Sequence, residues 1–203
     1  MLLFNVDAKE CKAKKPVDIG FMLDESASVA DEDWENTGKF TKMIAKAASM
    51  KNDIERVSVV TFDDESRLRI RFDEYHDHNA FARAVDNLDQ GKGGTKIIDG
   101  LNRGLNDMFQ TSNGMRDTSV KIAVLITDGS DNGTPSEYKE MGRKYQDKNI
   151  KLLIVGVGSV ERDLLKELVK DESDFFEAQN FDELLNSAVT RIEENIQGVC
   201  EGN

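Results

Sequence analysis

Apolar residues run almost unbroken through Val57-Ser58-Val59-Val60-Thr61-Phe62, Ile122-Ala123-Val124-Leu125-Ile126 and Leu152-Leu153-Ile154-Val155. Such runs fit strands covered by helices on both faces, as crossover helices produce in a parallel sheet. The pattern predicts strands over Val17 to Leu23, Arg56 to Phe62, Leu68 to Phe72, Val120 to Thr127, Leu152 to Val157 and Phe175 to Ala178. Between them lie helical periodicities at Trp34 to Ser49, Asn79 to Leu88, Lys96 to Phe109, Ser136 to Lys148, Glu161 to Val169 and Asp182 to Ile196. Phe40, Met43, Ile44 and Ala47 fall at helical spacing, as do Leu184, Leu185, Ala188 and Ile192, and both stripes read as core.

One strand breaks the alternation with helices. Leu68 to Phe72 follows its predecessor through Asp63-Asp64-Glu65-Ser66-Arg67, which suits a hairpin, and Arg67, Arg69 and Arg71 alternate with Leu68, Ile70 and Phe72 as on an exposed edge. The expected fold is therefore α/β: a doubly wound, mostly parallel six-stranded sheet with one antiparallel edge strand and helices on both faces. The interior strands should be the three apolar runs together with Val17 to Leu23.

Composition narrows the function classes. With 203 residues, 38% hydrophobic and 33% charged, the chain has material for about one domain with a sizeable core. The expected division is a domain over 14–198, an extension over 1–13 carrying Cys11 and a tail over 199–203 carrying Cys200. The 39 acidic against 27 basic residues give a formal charge of -12. That balance opposes nucleic acid and anionic lipid surfaces as partners, and no apolar run approaches the roughly 20 residues that span a bilayer. Met1 to Asn5 offers no basic region and too short an apolar core for a signal peptide, so a leader was either removed or never present. Cys11 and Cys200 bracket the domain and read as a terminal disulfide staple in an oxidising compartment; closing a loop of about 190 residues contributes roughly 5 kcal/mol in the chain-entropy model.

The candidate chemistry lies at strand ends. In an open sheet of this kind ligands sit beyond the carboxyl ends of the strands. Asp24-Glu25-Ser26-Ala27-Ser28 follows the first strand, and in an extended loop residues two apart face the same way, which aligns Asp24, Ser26 and Ser28. Thr95 follows Gly93-Gly94 at the start of a helix, and Asp128 precedes Gly129 after another strand. All these side chains offer oxygen only. Hard oxygen ligation suits Mg²⁺, with Mn²⁺ or Ca²⁺ as alternatives, and argues against zinc.

These residues resemble the metal-ion-dependent adhesion site of the von Willebrand factor A domain family, also called the integrin inserted-domain fold, and the likeness covers nearly the whole chain. The family's Asp-x-Ser-x-Ser stands here as Asp24-Glu25-Ser26-Ala27-Ser28, its second-loop Thr as Thr95 and its third-loop Asp as Asp128. The resemblance implies a module in which Asp24, Ser26, Ser28 and Thr95 surround Mg²⁺ and Asp128 ligates directly or through water. One coordination position is left for an acidic residue of a protein partner, such as a collagen or another matrix protein. It also implies a switch that shifts the last helix, 182–196, along its axis, a motion that a bond between Cys11 and Cys200 would restrain. Location would be extracellular, within a larger multidomain protein.

The rim expected around this centre is acidic: Glu25, Asp31, Glu32, Asp33, Asp63, Asp64, Glu65 and Asp131, offset by Lys92 and Lys96. It should favour partners with basic groups beside the acid. Two other classes stay open. An intracellular adaptor fits the family, and a Mg²⁺-dependent phosphoryl-transfer enzyme fits the strand-end aspartate. For that second class this chain lacks an aspartate two residues after Asp24, a phosphate-binding Lys on a Gly-rich loop and any His within these loops to act as base, so it reads as non-enzymatic. Asn132-Gly133-Thr134 is a glycosylation sequon close to Asp128. His76-Asp77-His78 reads as a solvated charge run, and Gly156-Val157-Gly158 as turn formers.

Overall fold

The computed structural model describes residues 16–47, 50, 53–129 and 131–180, with single positions at 183, 185 and 194. Cys11, Cys200 and all but those single positions of the expected helix 182–196 lie outside them. The elements run β1 (Val17–Asp24), α1 (Asp31–Ala47), β2 (Glu55–Phe62), β3 (Ser66–Ile70), α2 (His78–Asp86), α3 (Ile97–Arg103), β4 (Val120–Thr127), α4 (Pro135–Asp147), β5 (Ile150–Val157), α5 (Arg162–Lys166) and β6 (Phe175–Ala178). One sheet has the order β3-β2-β1-β4-β5-β6. Every pairing is parallel except β2 with β3, so the mostly parallel six-stranded sheet with one antiparallel edge is observed.

Each face of the sheet has its own core. Ile19, Phe21 and Leu23 of β1 pack with Phe40 and Ile44 of α1 and with Phe81 and Val85 of α2. Met22, Val60 and Phe62 face Ile97 and Leu101 of α3 and Tyr138, Met141 and Tyr145 of α4. The near-continuous apolar strands are thus explained, since alternate side chains enter different cores.

Several details depart from the sequence expectation. Met43, read as core, is 42% exposed. The buried face of α1 is Asn36, Thr37, Phe40, Thr41, Ile44 and Ala45, and a hydroxyl is tolerated there because Thr41 Oγ1 donates to the Thr37 carbonyl at 2.9 Å. The helix expected over Lys96 to Phe109 gives way after Arg103 to a wider π turn over Gly104–Met108. Gly104 permits that close packing: a Cβ there would lie 2.5 Å from Tyr145 Oη and 2.8 Å from Met22 Sδ. Phe72 lies beyond β3, fully buried and tilted against Phe109 with ring centroids 5.4 Å apart.

A buried ion pair closes the end of the sheet where β1 begins. Asp18, fully buried in β1, accepts from the Arg116 backbone N–H at 2.7 Å, from Arg116 Nε at 2.9 Å and from Ser119 Oγ at 2.6 Å. The same guanidinium donates to the carbonyls of Val17 at 2.8 Å and Ile54 at 3.1 Å. One arginine thereby ties the starts of β1 and β2 to the loop that leads into β4. Register carries this alignment to the other end, where Asp24 stands opposite Phe62, and Leu23 opposite Ile126.

Candidate metal centre

Asp24 is the last residue of β1 and only 2% exposed. Its Oδ1 accepts from the Ser26 backbone N–H at 3.0 Å, and its Oδ2 from Thr127 Oγ1 at 2.6 Å. Thr127 ends the neighbouring strand β4 and in turn accepts from the Gly129 N–H at 3.2 Å. The Ser26 and Ser28 hydroxyls lie 3.0 Å apart, and Ser28 Oγ donates to Asp128 Oδ1 at 2.9 Å. Thr95, just before α3, joins the group from the second loop. A Cβ built on Gly129 would be 3.4 Å from Thr95 Oγ1 and 3.9 Å from Asp24 Oδ2, so three loops meet around that point.

Both carboxylates carry an electrostatic load. Burial pushes the Asp24 carboxyl up to about 6, with the charge of Asp128 adding to it, against hydrogen bonds from Ser26 and Thr127 that favour the anion. Burial likewise raises Asp128, with Asp33 adding and the Ser28 hydroxyl opposing. Two anions disfavoured in one pocket, surrounded by hydroxyl oxygens, form a donor set that a hard divalent cation neutralises. The residues present therefore fit such an ion. Among the described residues no group of three or more His, Cys, Asp or Glu side chains is arranged to hold a metal; the candidate set consists of two carboxylates and three hydroxyls.

The expected rim divides in two. Glu25 and Asp63 do not lie on it: Glu25 is fully buried and Asp63 is 4% exposed. Both carboxylates accept from Arg67 Nη1, at 2.7 and 3.1 Å, and Arg69 Nη1 stands 3.6 Å from Glu25. Arg67 and Arg69 on the edge strand β3 are thus counter-ions to buried carboxylates of the loops. Burial raises the Glu25 carboxyl, with the charge of Asp63 adding to it and both arginines opposing. Asp63 is lowered, since hydrogen bonds from the Glu65 and Gly93 backbones and from Arg67 outweigh its burial. A Cβ on Gly91 would sit 2.2 Å from Asp63 Oδ2, which explains a glycine at that point of the second loop.

Asp31, Glu32, Asp64 and Glu65 are exposed, and Asp33 is half-buried. Lys92 pairs with Asp31 at 2.5 Å, and Lys96 Nζ donates to the Asp64 carbonyl at 3.0 Å. Asp131 is half-buried and bridges elements, accepting from the Gly133 N–H at 2.7 Å, Tyr138 Oη at 2.8 Å and the Ile98 N–H at 3.3 Å. Asn132 beside it is exposed. Away from the centre, Asp77 caps α2 by accepting from Ala80 N at 2.9 Å, and His78 Nε2 lies 3.0 Å from the Lys42 carbonyl. Thr127, which holds Asp24, and Arg67, which pairs with Glu25 and Asp63, were given no such role from the sequence. Only their positions near strand and loop ends signalled it.

Solved structures share this fold, and relatives share its sequence pattern. The fold superimposes on proximal thread matrix protein 1 from the mussel byssus, solved with zinc in its MIDAS motif, with a TM-score of 0.79 at 24% identity over 94% of this chain and 47% of that one. The divalent metal named there is that protein's. The chain is similar to the collagen alpha-4(VI) chain of Mus musculus, 28% identical over 179 residues, which is 87% of this chain and 7% of that one. It is also similar to integrin alpha-M of Mus musculus, 26% identical over 196 residues, or 93% of this chain and 17% of that one. Matrilin-1 of Homo sapiens is 25% identical over 173 residues, or 82% and 34%. This chain corresponds to a minor part of each relative's length. The von Willebrand factor type A domain model matches residues 18–191, and the chain belongs to that family.

Proposed function

We propose that this chain is a non-enzymatic, divalent-metal-dependent protein-binding module, with residues 14–198 as the domain. The observation that carries the reading is the convergence of Asp24, Ser26, Ser28, Thr95 and Asp128 from three loops at the carboxyl edge of the sheet. Mg²⁺ is the proposed ion, with Mn²⁺, Ca²⁺ or zinc as competitors. Bound there, it supplies an electrophile to which a partner carboxylate bonds directly in a partly dehydrated cleft.

The chain's own groups set selectivity. Exposed Asp31, Glu32, Asp64 and Glu65 surround the centre, while Lys92 and Lys96 are engaged by Asp31 and Asp64. A partner whose acidic residue is flanked by Lys or Arg is favoured over a uniformly acidic one. Collagen and integrin chains among the relatives support an extracellular, matrix or cell-surface setting and a matrix protein, collagen foremost, as partner. That setting also accommodates a disulfide between Cys11 and Cys200 and a glycan on Asn132.

Surface-plasmon binding to immobilised collagens, run with Mg²⁺ and with EDTA, tests the reading. Binding should vanish in EDTA and in Asp24→Ala. Undiminished binding in either condition would remove the metal from the contact.

A further inference from the structure

Gln90 reaches from the second loop into the first. Its side-chain amide donates to the carbonyls of Ser26 at 3.1 Å and Val29 at 2.8 Å. These residues bound the turn that carries Ser28, itself closed by the Val29 N–H on the Ser26 carbonyl at 3.2 Å. Both protons of the amide are thereby used. Two backbone bonds extend the contact, Lys92 N–H to the Glu25 carbonyl and Ala27 N–H to the Gly93 carbonyl, each 2.9 Å. Lys92 is held at a φ of 62°, a conformation that side-chain-bearing residues adopt only when their surroundings over-determine it. The 90–93 segment is thus docked in register against 25–29, and Thr95 follows two residues later.

Resting on the metal-centre reading above, we infer that Gln90 is a positioning residue of that centre. It fixes the spacing between the Ser26 and Ser28 hydroxyls on one loop and the Thr95 hydroxyl on the other. It touches backbone carbonyls and none of the proposed ligand oxygens, so its effect is on preorganisation. Groups that orient metal ligands typically change metal affinity by about 10–100-fold when removed.

The test uses Mn²⁺ alone, titrated calorimetrically into the wild type, Gln90→Leu, Gln90→Lys and Asp24→Ala. Melting temperature in EDTA and amide exchange in the metal-free proteins accompany each titration. Gln90→Leu should bind Mn²⁺ about 10-fold more weakly and exchange the Ala27, Val29 and Lys92 amides faster, while its melting temperature in EDTA stays well above the titration temperature, so that unfolding does not account for the loss. Gln90→Lys, which returns a donor to the two carbonyls, should recover part of the affinity. Mn²⁺ binding that depends on Asp24 but is equal in Gln90→Leu and the wild type overturns the inference alone. So does a loss that only tracks a lowered melting temperature. Binding that Asp24→Ala leaves intact overturns the metal reading, and this inference with it.

Discussion

Replacing Asp24 with Asn should make the metal-free domain more stable at neutral pH. The Asp24 carboxyl titrates at about 6 in the fold against 3.8 in its ordinary state. A gap of about 2 units, at 1.36 kcal/mol per unit, is about 3 kcal/mol. The folded state binds this proton more tightly than the unfolded state, so the sign is a penalty. It is absent below the ordinary value, grows as pH rises from about 4 to about 6, and is fully present above that. Asn removes the charge but keeps the shape. Its single oxygen accepts from only one of Ser26 N–H and Thr127 Oγ1, and the lost bond costs about 1 kcal/mol. The net gain near pH 7.5 is about 2 kcal/mol, or about 4–8 °C in melting temperature for a domain of this size. Thermal melts of both proteins in EDTA at pH 4.5 and 7.5 measure it, and the difference between them isolates Asp24. The variant should melt higher at pH 7.5 and lose that advantage at pH 4.5. An Asp24→Asn variant less stable than the wild type at pH 7.5 would refute the argument that the centre stores unfavourable charge for a cation to relieve.

Two further outcomes are expected. Arg116→Met leaves Asp18 buried without its counter-ion and should cost about 3–5 kcal/mol in urea unfolding, with Mn²⁺ affinity unchanged, because the pair lies at the opposite end of β1 from Asp24; a loss below about 1 kcal/mol would mean that Ser119 and the backbone satisfy Asp18 alone. Thiol titration of the unfolded, unreduced protein should find no free thiol, and reduction should lower stability by up to about 5 kcal/mol; two free thiols would exclude the bond between Cys11 and Cys200.

Hydrophobic patterning disclosed the sheet because crossover helices impose a visible requirement: β1, β2, β4 and β5 are covered on both sides, and their runs are apolar without alternation. The five oxygen-bearing residues of the proposed centre were singled out for a related reason, since they lie in the loops on the edge where such sheets collect ligands. Charges were misread where their meaning depends on distant partners. Glu25 looked like rim, yet Arg67, 42 residues away in sequence, pairs with it and it is fully buried. Met43 failed because the buried face of the helix includes Thr37 and Thr41, whose polarity hid them from an apolar pattern.

The sequence by itself determined the order of elements, the two-faced core and the all-oxygen chemistry of the strand-end loops, because periodicity and residue type are local properties. Only the tertiary structure decided which charges are buried, that Thr127 holds Asp24, and that Gln90 locks the second loop onto the first. Those are pairings between segments distant in the chain, and the energy of a polar group depends on the partner and the water that the fold leaves beside it.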